Sequence, residues 1–208
     1  MMMLSEIAKA VGGTLLSDDV RIQSVDTDSR RIQAGQLFVG IQGERFDGNT
    51  FAAEALKLGA AAVMISDATQ AVSPAVLVTD ARLALGKLAN HWRQQLHAPI
   101  TAITGSNGKT TTKEMLNAIL TAALGDSAAV HATQGNLNND IGMPLTLLKA
   151  RAQHQQIVLE MGMNHLGEIA YLSNIAQPNV AVINNAGTAH IGELGSRENI
   201  AKAKGEIF

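Results

Sequence analysis

Residues 102–114 read AITGSNGKTTTKE, and the reading of the fold turns on them. The apolar run 100–103 before them predicts a short buried strand, Gly105-Ser106-Asn107-Gly108 a tight turn, and Lys109-Thr110 the start of a helix. Strand, turn and helix N-terminus is an arrangement that binds polyphosphate. Glycines let backbone approach the ligand, and the first helical amides, lacking intrahelical acceptors, point at the anion. Lys109 then reaches the terminal phosphates and the Thr110 hydroxyl holds Mg²⁺. The general P-loop also has a glycine at the position of Ile103, which this chain lacks. A solvated turn is the bland alternative. The preceding strand, the second glycine and the run Thr110-Thr111-Thr112 argue against it.

Composition sets the frame. At 208 residues the chain is one large domain or two small ones, and 46% hydrophobic against 16% charged residues is the profile of a globular protein. A net charge of −2, no Lys/Arg cluster and 3% aromatics give no footing for nucleic acid. Without cysteine there is no disulfide, thiolate nucleophile or Cys-ligated zinc. The start, MMMLSEIAKAVGG, is interrupted by Glu6 and Lys9, so it reads as neither signal peptide nor membrane anchor, and a cytoplasmic location is expected.

Taken in order, Ser5 reads as the cap of a helix with Leu4, Ile7, Ala8 and Val11 on one face, stopped by Gly12-Gly13. Residues 20–25 alternate as a strand, 37–41 form a buried strand, 50–58 a helix, and 61–65 and 75–78 two further strands. Asp80 caps a helix running to about Leu96 and carrying Leu83, Leu85, Leu88 and Trp92. A domain boundary is expected near residue 80, where strand and helix alternation restarts. Beyond the phosphate loop come a helix over 109–124, a strand at 128–131, and a short helix opened by Pro144. A strand at 156–160, a helix at 166–175, a strand at 180–183 and a helix at 196–208 complete the pattern. This rhythm specifies an α/β fold with a parallel sheet flanked by helices.

In such a sheet ligands bind beyond the carboxyl ends of the strands. Glu160 ends one strand. Alone it would read equally as a solvated strand end, whereas beside a phosphate loop it completes Mg²⁺ coordination. His190 follows the last strand, and by itself is a surface loop histidine, as are His91, His97, His131, His154 and His165. On pattern alone Lys202 and Lys204 form a solvated helix face, and Met161 and Met163 fill core. The loop 133–144, TQGNLNNDIGMP, is either a set of Asx turns or a donor-rich binding loop.

With these pieces in order, the sequence resembles the Mur ligases of peptidoglycan precursor synthesis. The matching stretches are VDTDSRRIQAGQLFVGIQGERFDGNTF (25–51), TAITGSNGKTTTKEM (101–115), TQGNLNNDIGMPLTLL (133–148), IVLEMGMNHLGEI (157–169) and VINNAGTAHIGELGSRENIAKAKGEIF (182–208). The family's nucleotide loop has the short form without the first glycine, which accounts for Ile103. The resemblance implies a small UDP-sugar-binding N-terminal α/β domain over 1–80 and the front part of an ATP-binding central domain over 81–208. It implies that Gly105, Ser106, Asn107, Gly108, Lys109, Thr110 and Thr111 hold ATP, with Lys109 on the γ-phosphate. Thr110 and Glu160 would hold one Mg²⁺ and His190 a second. Lys204, four residues before Phe208, is similar to the family's carbamylated lysine.

Asp28, Ser29, Arg30, Phe46, Asp47, Gly48 and Asn49 would meet the UDP-sugar, and Asn138 and Asn139 the muramoyl peptide or the phosphates. The family often carries His at the position of Asn49. Lys109, Glu160, His190 and Lys204 are the residues the resemblance makes catalytic. The activity implied is ATP-dependent joining of D-alanyl-D-alanine to UDP-N-acetylmuramoyl-tripeptide through an acyl phosphate. Such ligases continue beyond these elements into a region that completes the ATP site and carries the amine substrate, so the chain reads as a piece with an incomplete sheet. Rival readings are the tripeptide-forming ligase of the same family, a folylpolyglutamate synthetase, a non-catalytic fragment binding nucleotide or UDP-precursor, and a generic P-loop NTPase.

Overall fold

Strand and helix alternate from the first residues onward in the computed structural model, which describes residues 1–16 and 18–208. Two units form, Met1–His91 and Trp92–Phe208. The first contains β1 (Met2–Met3), α1 (Leu4–Val11), β2 (Thr14–Leu15), β3 (Arg21–Ile22), β4 (Ser24–Asp26), β5 (Gln36–Val39), α2 (Ala52–Lys57), β6 (Ala62–Ile65) and β7 (Ala75–Leu77). Its sheet has the order β2-β7-β6-β5-β4, parallel from β4 to β7 and antiparallel only at the β2 edge. Phe38, Val63, Ile65 and Ala75 pack against Ala52 and Ala55 of α2 to make its core. Fully burying a side chain such as Phe38 contributes about 2–3 kcal/mol.

The helix α3 (Ala81–Arg93) begins where Asp80 accepts from the amides of Arg82 at 2.8 Å and Leu83 at 2.9 Å. That is the expected cap. The units divide inside this helix rather than near residue 80. Lys87 Nζ donates to Val11 O at 3.5 Å in the first unit, whereas Trp92 Nε1 donates to Ala150 O at 3.0 Å in the second. Leu83, expected on the packed face, is exposed, while Leu85, Leu88 and Trp92 are buried.

The second unit continues with β8 (Ile100–Thr104), α4 (Lys109–Leu124), β9 (Val130–Ala132), α5 (Gly142–Lys149), β10 (Gln156–Glu160), α6 (Glu168–Ala176), β11 (Val180–Ile183), α7 (Ile191–Leu194) and α8 (Arg197–Gly205). Its sheet order is β11-β8-β10-β9, parallel throughout. The central strands β8 and β10 pair on both edges and are apolar runs, as burial on both faces requires. All four strands end on the same side, which brings residues 105–108, 133–140, 160–162 and 184–187 to one rim. Among the described residues no helix is long and apolar enough to cross a membrane.

Three local expectations are corrected. Ser5 does not cap α1, which starts at Leu4. Instead Asp19 accepts from Ser5 N at 2.8 Å and Ser5 Oγ at 2.6 Å, so a distant carboxylate serves the helix start. The alternation over 20–25 breaks at Gln23 because β3 pairs with β1 whereas β4 pairs with β5, and both Ile22 and Val25 are buried. The last helix ends at Gly205, short of Phe208, and its cap is Ser196, whose Oγ accepts from Asn199 N at 3.1 Å.

Candidate active site

The phosphate loop leaves β8 at Thr104 and enters α4 through Gly108, which adopts the left-handed conformation, φ 78°, as a cap with no side-chain acceptor. The amides opening α4 therefore have no partner by position and face outward from the helix start. Gly105 is required by crowding: a Cβ there would lie 2.9 Å from Asn184 Cβ. Lys109 folds back over the turn and donates from Nζ to Gly105 O at 2.8 Å.

Glu160 ends β10 beside this turn and is only 2% exposed. Its Oε2 accepts from Thr110 Oγ1 at 2.9 Å and its Oε1 from Asn138 Nδ2 at 2.8 Å. The structure thus brings Thr110, Asn138 and Glu160 together. Two of the remaining residues of the expected nucleotide loop are differently engaged. Ser106 N donates to Asn185 O and Asn107 N to Asn185 Oδ1, each at 3.1 Å. Asn185 Nδ2 returns a bond to Asn107 O at 3.0 Å, and Gly187 N donates to Ser106 Oγ at 2.9 Å. The loop after β11 therefore clasps the phosphate loop, leaving the start of α4 as its open donor surface.

Asn139 serves its own loop and helix, its Oδ1 accepting from Gly142 N at 2.8 Å at the start of α5. His190 caps α7 in the left-handed conformation, φ 66°, and its ring has no bond to Glu160 or Thr110. No group of three or more His, Cys, Asp or Glu side chains able to hold a metal occurs among the described residues. Lys204 of α8 is 2% exposed. Burial, and then the charge of Lys109, hold its amine down to about 8. Two cations directed at one region favour an anion there. Its companion Lys202 is exposed, as pattern alone had it.

In the first unit, Asp28, Ser29, Arg30, Phe46 and Gly48 line one cavity of about 470 Å³ with Thr27, Phe38, Ile41 and Phe51. Asp28 holds Arg30 bidentately, at 2.8 Å for both Nε and Nη2, and the Arg30 hydrogen bond brings its carboxyl down to about 2. The other two residues of that set turn inward. Asp47 Oδ1 accepts from Asn49 N at 2.9 Å, and Asn49, 1% exposed, accepts on Oδ1 from Ser66 N at 2.8 Å. Neither lines the cavity.

The sequence did not single out Lys113, Asn184 or Asn185, and offered Thr133 only as the start of the loop 133–144. Lys113 lies three residues after Thr110 and so shares its helical face, a signal available in advance. The two asparagines bond mostly to backbone atoms, which sequence does not encode.

Comparison with known proteins bears on this geometry. Residues 103–208 match the family profile described as Mur ligase middle domain, and residues 21–93 match that described as Mur ligase family, catalytic domain. The UDP-N-acetylmuramoyl-tripeptide–D-alanyl-D-alanine ligase of Escherichia coli is 44% identical over 205 residues, covering 99% of this chain and 44% of that protein. A crystal structure of MurF from Acinetobacter baumannii superimposes with a TM-score of 0.87 at 42% identity, covering 98% of this chain and 45% of that one. The MurF ligase of Thermotoga maritima, solved in complex with ADP, gives a TM-score of 0.79 at 38% identity over 89% of this chain and 42% of that one. The chain spans a little under half the length of each.

Proposed function

Because the chain belongs to the Mur ligase family, we propose that it supplies the nucleotide- and UDP-precursor-binding parts of a ligase that joins D-alanyl-D-alanine to UDP-N-acetylmuramoyl-tripeptide. The observation that carries the reading is the meeting of Thr110 and Glu160, 2.9 Å apart at the mouth of the phosphate loop, in a chain this similar to such ligases. A hydroxyl and a carboxylate are hard oxygen donors, and the pair fits Mg²⁺, with Asn138 fixing the carboxylate from its other oxygen. Held by Thr110 and Glu160, such an ion would supply neutralisation of phosphate charge. A second ion would take His190.

In the reaction the tripeptide's terminal carboxylate oxygen attacks the γ-phosphorus of ATP, the bond to the β-phosphate oxygen breaks, and ADP leaves. The amine of the dipeptide then attacks the acyl phosphate carbonyl. The carbonyl carbon–oxygen bond to phosphate breaks, inorganic phosphate departs, and the amine loses a proton as the amide forms. Lys109 draws charge off the γ-phosphate, and the amides opening α4 orient it, so positioning and electrostatics carry the step. With its amine held down by burial, Lys204 is suited to carbamylation: the neutral amine attacks CO₂, a nitrogen–carbon bond forms, and a proton leaves. The cation becomes a carboxylate-like group, a further hard ligand. The cavity between Arg30 and Phe46 would take the UDP-sugar, an aromatic wall and a guanidinium suiting a uracil ring and a diphosphate.

Calorimetric titration of the chain with UDP-muramoyl tripeptide and UDP-muramoyl dipeptide tests this. The expected result is tripeptide binding roughly tenfold tighter or more. Preference for the dipeptide would assign the chain to the tripeptide-forming ligase instead, and binding of neither would overturn the substrate.

A further inference from the structure

Among the described residues of α4, sixteen in all, the only fully buried one is a lysine, Lys113, 2% exposed. Burying an ammonium is costly unless acceptors surround it. Its Nζ donates to Thr133 O at 2.8 Å and pairs with Glu114 Oε1 at 2.6 Å, but Glu114 is exposed on the same helix. The bond that leaves the helix is the one to Thr133.

Thr133, itself 1% exposed, opens the loop after β9 and is pinned by its own amide to Val158 O at 3.0 Å. Its Oγ1 accepts from the amide of Glu160 at 2.9 Å. Glu160 in turn accepts from Thr110, one helical turn before Lys113. The four residues close a ring: Thr110 to the Glu160 carboxylate, Glu160 amide to Thr133, Lys113 to the Thr133 carbonyl, and back through a turn of α4. Every bond in it is between 2.8 and 2.9 Å.

We propose that Lys113 is a positioning residue for the metal-binding carboxylate. It fixes the distance between α4 and the end of β10, and with it the placement of Glu160 against Thr110. The inference rests on the reading of Thr110 and Glu160 as Mg²⁺ ligands. An apolar side chain at 113 would fill the space equally well, yet would leave the buried Thr133 carbonyl unpaired and free Thr133 to shift with Glu160. Nucleotide contacts made by the amides opening α4 use backbone that the helix itself holds, not the Lys113 or Glu160 side chains.

The chain contains no cysteine, which permits a clean test. ADP affinity is measured with and without Mg²⁺ for the parent chain, for Lys113→Met, and for Lys113→Cys before and after aminoethylation in denaturant and refolding, which rebuilds a lysine-like amine. The Mg²⁺-dependent gain in affinity should fall roughly tenfold or more in Lys113→Met and unmodified Lys113→Cys. Metal-free affinity should stay within about threefold, and aminoethylation should restore the gain. Equal loss with and without Mg²⁺, no loss, loss without rescue, or a Lys113→Met chain that does not fold would each overturn a positioning role. A parent chain that binds ADP with no Mg²⁺ dependence would instead remove the metal reading beneath it.

Discussion

Gly105 and Asn184 meet where the loops after β8 and β11 touch, and the fit between them leaves no room for a methyl group. Replacing Gly105 by Ala puts its Cβ 2.9 Å from Asn184 Cβ, so the loops must part and the bonds from Asn185 to Ser106 and Asn107 lengthen. Urea unfolding of Gly105→Ala should show a loss of about 1–3 kcal/mol, the range for overpacking, with weakened nucleotide binding. A variant as stable as the parent would mean the loop after β11 is not held as described. Lys109, Thr110 and Glu160 were legible in the sequence because a phosphate loop followed by a strand-end carboxylate is a chemical pattern. Lys113 was not. Its role depends on one backbone carbonyl twenty residues away, and a carbonyl has no residue identity to read. Asp47 and Asn49 also bond within the fold, Asp47 Oδ1 accepting from Asn49 N and Asn49 Oδ1 from Ser66 N, contacts their motif did not announce.

At the scale of elements, the parallel sheet of the second unit followed from its apolar runs, and β10 and β11 coincide with the residues expected. Boundaries were less legible where a partner distant in sequence decided them. Asp19 serves the start of α1, and the pairing of β3 and β4 with different strands divides one alternating run in two. The histidines on β9 and before β10 were read singly as surface residues, yet His131 and His154 stack at 4.8 Å. Burial chiefly lowers both pKa values, with the charge of Arg151 adding to each. A His whose folded value lies below the ordinary value near 6.5 stays neutral in the fold while the unfolded chain takes up its proton. Stability should therefore be complete above about 6.5 and fall as the pH drops through it. Replacing His154 by Asn should flatten that acid limb in chemical unfolding measured across the range. An unchanged limb would contradict the burial of His154 as a source of pH sensitivity.

On the scale of the whole molecule, the two proposed sites fall in different units. The cavity bearing Arg30 and Phe46 lies wholly in the first, and the loop bearing Lys109 in the second. Replacing Arg30 and Phe46 together by Ala should weaken UDP-muramoyl tripeptide binding roughly tenfold or more, from one charged and one aromatic contact, and leave ADP affinity within about twofold. Loss of both would mean the sites are not separate. The residues of α3 divide between the units, Lys87 bonding within the first and Trp92 within the second, a split that alternation of strand and helix does not encode.

We propose that the open start of α4, residues 108–111, binds the phosphates of a nucleotide with Lys109 as the principal cation. Titrating the parent chain and Lys109→Met with Mg²⁺ and a non-hydrolysable ATP analogue tests it most directly. Removing a charge-assisted contact to phosphate should weaken binding roughly tenfold or more while UDP-muramoyl tripeptide still binds as in the parent. Equal nucleotide affinity in the two chains would contradict the account.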